Sequence, residues 1–124
     1  MQLNANMGER VVVDSSRLAW VESPASGVHR RMLARSGAED AVATSIVRYA
    51  PGASFGVHTH PLGEEFLVLD GCFSDEQGDY PAGTYVTNPP GSSHAPFSRE
   101  GCTLFVKLRH LRPRRRHPFA DRNR

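Results

Sequence analysis

The chain has 124 residues, 39% of them apolar, and a formal net charge of +2, a length that suits one domain with its own core. No run approaches the eighteen or so consecutive apolar residues of a membrane span, and the opening MQLNANMGER lacks the basic start, apolar stretch and small-residue cleavage site of a secretory signal. A soluble, cytoplasmic protein with no membrane association is expected, and the two cysteines, Cys72 and Cys102, form no CxxC pair and read as buried small hydrophobes.

Helix-period patterns are scarce, whereas short runs rich in Val, Ile, Thr, Tyr and Phe recur between Gly and Pro punctuation. In chain order, residues 1–16 form an N-terminal arm with a first strand at 10–13. Further strands are expected at 28–34 and 41–49, a short one at 57–60, then 64–70, 84–88, 94–98 and 103–109. PGASFG, DGCFSDEQGDYPAG, NPPGSS and REG separate them as turns. An all-β chain with this many short strands suits a sandwich or barrel, because closure removes exposed edges. The end of the chain differs. Residues 109–124 hold seven arginines and one acid, hence +6, which leaves −4 for residues 1–108 out of the net +2. Pro113 and Pro118 oppose helix there and the arginines repel one another, as expected of a mobile, solubilising tail. No aromatic platform or helical reading head accompanies the basic run, so nucleic acid is not an expected partner.

The chemistry-bearing stretch is HTHPLGEE, residues 58–65. Side chains alternate faces in an extended strand, so His58 and His60 share one face with Cα atoms about 6.5–7 Å apart, close enough for two imidazoles to converge on one ion at about 2.0–2.1 Å each. A lone HxH is equally compatible with a surface pair. Here it has partners. Glu64 follows past a Pro61-Leu62-Gly63 turn, and Gly52 and Gly71 bracket the whole as G-x5-HxH-x3-E-x6-G; further on, Gly83, Pro89, Gly91 and His94 fall at G-x5-P-x-G-x2-H.

These two brackets resemble, at nine positions, both sequence motifs of the cupin superfamily. The resemblance implies a single-domain double-stranded β-helix, or jelly-roll barrel, holding one divalent metal ion through His58, His60, Glu64 and His94. The second motif usually closes with an Asn, which is not a ligand, where this chain has Ser98. The stretch from RYAPGASF to CTLFVKL, with LAWVESPASGVHRRML upstream, is similar to the cupin domain of the ChrR-type anti-sigma factors and their stand-alone relatives, over residues 17–108. In those factors the domain binds zinc and follows a helical domain that carries an HxxxCxxC motif. This sequence contains no such motif, so direct sigma-factor inhibition is not expected.

Three imidazoles and one carboxylate suit Zn, Fe(II), Mn(II) or Ni(II). Zinc leads through the resemblance, and Fe(II) comes next because related cupins with the same ligands are oxygenases. Three readings stay open: a metal-dependent dioxygenase acting on a small enolisable substrate such as a diketone, a zinc-binding sensory or small-ligand-binding module without catalysis, and a purely structural ion. Glu65 is expected to point away from the ion, and Phe66 and Val68 toward it, as substrate wall or as plain barrel core. Arg48 either clamps an anionic ligand or extends to solvent. His29, His110 and His117 read as surface histidines, and the Asp75-Glu76 pair as a solvated turn. The apolar positions of 10–20 call for cover, and the expected cover is a second copy in a homodimer.

Overall fold

The computed structural model describes residues 2–6, 8–37, 42–60 and 62–108, residues 58 and 60 by their backbone alone. Among these are ten strands, one turn of 3-10 helix at Ser15–Arg17 and no α-helix. The strands are β1 (Gln2–Leu3), β2 (Val21–Glu22), β3 (Val28–Ser36), β4 (Val42–Tyr49), β5 (His58–His60), β6 (Glu64–Asp75), β7 (Gly78–Pro81), β8 (Tyr85–Asn88), β9 (Ser92–His94) and β10 (Cys102–Leu108). The fold is all-β, and no helix among the described residues is long and apolar enough to cross a membrane.

The sheet runs β1-β3-β4-β10-β6-β7, with β2 added to β3 and β8 to β6; β5 and β9 form a separate pair. β10 shows why the chain folds this way. Its CTLFVKL alternates strictly, burying Cys102, Leu104 and Val106 while Thr103, Phe105 and Lys107 face the other side. It pairs antiparallel with β4 on one flank and β6 on the other, so that Leu104 lies between Val47 and Val68 and Phe105 between Ile46 and Leu67. The inward positions merge with Val28, Tyr49, Phe66, Val68 and Phe73 into one core. The Phe73 ring meets Phe66 edge-on at 4.8 Å and Tyr49 at 5.4 Å, an arrangement worth about 0.5–1.5 kcal/mol per pair beyond burial.

β6 is the strand that joins the two sides of the barrel. Its first half pairs with β10 and β8, its second half with β7. The change of direction falls at Gly71, whose φ is +76° and whose absent Cβ would lie 2.1 Å from the carbonyl oxygen of Gly101. Only glycine fits there. Beyond the corner, Ser74 bridges Phe97, which also bridges Ser54, and Ser98, fully buried, donates its hydroxyl to the Cys72 carbonyl at 2.6 Å.

Several expected strands differ. Residues 10–13 form none: Val11, Val12 and Val13 stay exposed, Val12 at 78%, and it is Gln2 and Leu3 that dock on β3. The 94–98 strand is instead Ser92–His94, because Pro96 has no N–H to give a ladder. DGCFSDEQGDYPAG is not all turn; Cys72–Asp75 and Gly78–Pro81 pair as a hairpin around Glu76 and Gln77. Cys72 and Cys102 are free thiols; Cys102 is buried as expected, whereas Cys72 is only half-buried. Residues 109–124, read as a basic tail, lie outside the described residues.

Gly71→Ala is expected to destabilise the fold by more than about 3 kcal/mol, since a backbone oxygen cannot yield to the new methyl. Gly83→Ala, also at positive φ (+94°) but facing open space, should cost about 1–2 kcal/mol. Urea unfolding of the two variants measures the difference; equal losses would show that the corner is not sterically set.

Candidate metal centre

Glu64 opens β6 and stands opposite Asn88 of β8; six residues beyond Asn88, His94 closes β9. β9 pairs antiparallel with β5, with His58 opposite His94, Thr59 opposite Ser93 and His60 opposite Ser92. The Thr59 and Ser93 hydroxyls lie 2.6 Å apart at the exposed side of this ladder. The two halves of the sequence pattern are thus neighbours in space.

Glu64 is 8% and His94 5% exposed. Their Oε1 and Nε2 atoms are 3.4 Å apart, and Asn88 Nδ2 donates to the same Oε1 at 3.1 Å. Burial pushes the Glu64 carboxyl above its ordinary 4.5, against the opposing pull of His94 and of the Asn88 hydrogen bond, with Asp75 adding to the rise. The other edge of the His94 ring faces a second carboxylate, with Nδ1 3.7 Å from Asp75 Oδ2. Asp75 is itself 8% exposed. Its Oδ1 accepts from the Tyr80 hydroxyl and the Gln77 amide, each at 2.9 Å. Burial, then the hydrogen bond to Asp75, pushes the Tyr80 phenol up to about 12, so it stays a donor at neutral pH. Next along, both Glu76 oxygens accept from the Ala95 amide at 3.1 and 3.3 Å.

These residues fit a divalent cation. Two donors on one tetrahedral ion at about 2.0–2.1 Å are expected about 3.3 Å apart, close to the Glu64–His94 separation. Two carboxylates withdrawn from water around a single imidazole also form a site whose electrostatics a cation would relieve. Among the described residues no group of three or more His, Cys, Asp or Glu side chains assembles as a cage. The pair provides two donors, and the remaining two expected ligands, His58 and His60, are placed by backbone only.

The structure brings Glu64 and His94 together and sets the His58 backbone across from His94. Phe66 and Val68, each 1% exposed, lie on the inner face of β6 that Glu64 begins. Arg48 does not join them. It is exposed on the outer face of β4, with its guanidinium 4.2 Å from the Trp20 ring centroid, as is that of Arg31. It borders a cleft of about 360 Å³ whose other charged residues, Asp70 and Glu100, are acids and do not favour an anion. Glu65, half-buried on the outer side, accepts from the Tyr85 hydroxyl. The sequence reading missed Asn88, Asp75, Glu76 and Tyr80. The solvated turn expected at Asp75 and Glu76 holds for Glu76, an exposed turn residue whose carboxylate accepts from the Ala95 amide, but not for Asp75, which is strand and buried beside His94. Alternation of Cys72, Phe73 and Ser74 against Tyr80 was the available signal for a hairpin there.

The ChrR cupin-like domain family matches residues 8–112. Among curated proteins, no sequence match is found. The chain is similar in structure to an acetylacetone dioxygenase from Acinetobacter johnsonii, with 21% identity, a TM-score of 0.66 and coverage of 81% of this chain and 72% of that one. It is also similar to the polyketide cyclase RemF from Streptomyces resistomycificus, with 21% identity, a TM-score of 0.65 and coverage of 90% and 87%. A third similarity is to the Rhodobacter sphaeroides complex of SigE with the anti-sigma ChrR, at 22% identity and a TM-score of 0.62. That match covers 75% of this chain but only about half, 49%, of the other. At these identities the likenesses establish the cupin fold.

The raised Glu64 carboxyl has a signed consequence for the metal-free protein. The group's contribution to stability is fully present below its unfolded value of 4.5 and is lost as pH rises through the higher folded value. Compared with metal-free Glu64→Gln, the metal-free parent should therefore fall behind in Tm as pH rises from about 4 to 8. Thermal denaturation across that range measures the gap; a parent that gains on the variant with rising pH would reverse the sign.

Proposed function

The chain belongs to the ChrR cupin-like family, and from that premise we propose that it is a metal-binding cupin whose four ligands are His58, His60, Glu64 and His94. The observation that carries this reading is the buried Glu64–His94 pair, 3.4 Å apart, beside a ladder that sets His58 opposite His94. The ion would be zinc, with Fe(II), Mn(II) and Ni(II) compatible with the same donors.

With Fe(II) at the site, the activity is that of a metal-dependent dioxygenase acting on a small enolisable molecule such as a diketone. A divalent ion with an open position polarises a carbonyl or enolate oxygen and lowers the pKa of bound water to about 7. The residues of the chain do the rest. Asn88 fixes the Glu64 carboxylate by its hydrogen bond to Oε1, and Phe66 and Val68 form a dry apolar wall on the same strand face. The fold shared with an acetylacetone dioxygenase and a polyketide cyclase supports a substrate of this class. A second reading, a zinc-binding sensory or ligand-binding module without turnover, is favoured by one observation: Phe66 and Val68 are enclosed, with Phe66 packed on Phe73, as a core needs and a substrate pocket does not.

Metal content separates the readings. Protein purified without added metal should carry one ion per chain, and Glu64→Ala and His94→Ala should lose it on dialysis while Glu65→Ala keeps it. Retention in Glu64→Ala and His94→Ala would remove the site. The Fe(II) form should consume oxygen with β-diketones or flavonols and the zinc form should not; no turnover in any metal form leaves the sensory module and the structural ion.

The homodimer belongs to the same proposal. The outer face of the sheet carries an unbroken apolar row, Ile46, Phe105, Leu67 and Tyr85, matched by register across four strands, and Leu67 and Tyr85 are exposed in the single chain. A second copy would offer the same row to the first. Light scattering at micromolar concentration should give the dimer mass and Leu67→Asp should lower it; a monomeric parent would overturn the pairing.

A further inference from the structure

One strand presents carboxylates to both edges of the same imidazole. Glu64 is the first residue of β6 and Asp75 the last; a straight twelve-residue strand would hold its ends about 36 Å apart. The corner at Gly71 folds the strand back, so that Glu64 Oε1 faces Nε2 of His94 at 3.4 Å and Asp75 Oδ2 faces Nδ1 at 3.7 Å. The second distance is that of an ion pair, longer than a hydrogen bond. An imidazole can give only one ring nitrogen to a metal, and the other is then an N–H donor whose acceptor sets the tautomer and the ring's orientation.

We propose that Asp75 is the positioning residue of the metal centre: it takes the Nδ1 proton of His94 as its partner, so that Nε2, which faces Glu64, is the unprotonated nitrogen that would bind the ion. The inference rests on the reading of His94 as a metal ligand. Two contacts hold Asp75 for this task, and a third holds its neighbour. The Tyr80 hydroxyl and the Gln77 amide both occupy Oδ1, which leaves Oδ2 turned toward the ring. Glu76, the next residue, accepts from the Ala95 amide with both oxygens and so ties the tip of the same hairpin to the backbone that follows His94. The β6–β7 hairpin thereby grips the histidine by its ring and by its chain.

The test uses Co²⁺ as the probe on the full metal-free chain, with affinity from competition against a chelator and the visible ligand-field spectrum as a second readout. Asp75→Asn should weaken Co²⁺ binding by about ten- to a hundredfold and shift the spectrum, as loss of the acceptor behind a ligating histidine does. Ser74→Ala removes the neighbouring 2.6 Å hydrogen bond to Asp79 in the same hairpin and should leave both unchanged. Tyr80→Phe, which removes one of the two donors to Asp75 Oδ1 and keeps the ring, should give a smaller loss in affinity with only a modest fall in metal-free Tm, and it decides the matter if Asp75→Asn does not fold. If His94→Ala loses Co²⁺ while Asp75→Asn and Tyr80→Phe bind as the parent does, the metal centre stands and the role of Asp75 is overturned. If His94→Ala binds as the parent does, the ligand reading itself has failed.

Discussion

The absence of a side chain at Gly71 is the constraint on which the arrangement depends. There the β6 backbone passes so close to Gly101 that a single methyl would overlap its carbonyl oxygen. The contact lets one strand serve two sides of the barrel. Before the corner β6 is held by β10 and β8, after it by β7 and the bridge to Phe97. Because the turn is tight, residues eleven positions apart come to flank one histidine.

Around that histidine the balance of terms is electrostatic rather than apolar. The core proper, with Phe66, Phe73, Tyr49 and Leu104, supplies burial of about 1.5–3 kcal/mol per large side chain. Part of that offsets the cost of withdrawing Glu64, Asp75 and His94 from water. Burying carboxylates disfavours their charged form, and the neighbours soften the penalty in different ways. Asn88 donates to Glu64, while Tyr80 and the Gln77 amide donate to Asp75. Apolar residues of similar volume at these positions would avoid that cost.

The outer surface follows another logic. Arg31 of β3 and Arg48 of β4 occupy outward positions and both lie over Trp20, which lets a long apolar stem and an aromatic ring cover one another while the charge stays hydrated. Arg48 is thus accounted for by Trp20, a residue 28 positions earlier that brings the N-terminal segment onto the sheet.

How far the chain could be read from its letters varies by feature. The all-β character was legible, because helix-period patterns are scarce and short runs rich in β-branched and aromatic residues recur between Gly and Pro punctuation. The pairing of Glu64 with His94 was legible too, through the spacing of glycines, proline and histidines that the cupin resemblance rests on. The strand expected at 10–13 failed because apolar β-branched residues report a preference, and only a free sheet edge converts it into a ladder; Gln2 and Leu3 took the edge of β3. Asp75, Glu76 and Tyr80 were not legible, since an acidic, Gly- and Pro-rich stretch looks the same whether it lies in water or folds back against the interior. Local composition and period determined which residues could form strands and which could hold an ion. Tertiary structure alone decided which of them lie within reach of His94, because that depends on a backbone reversal at one glycine and on contacts between residues far apart in the chain.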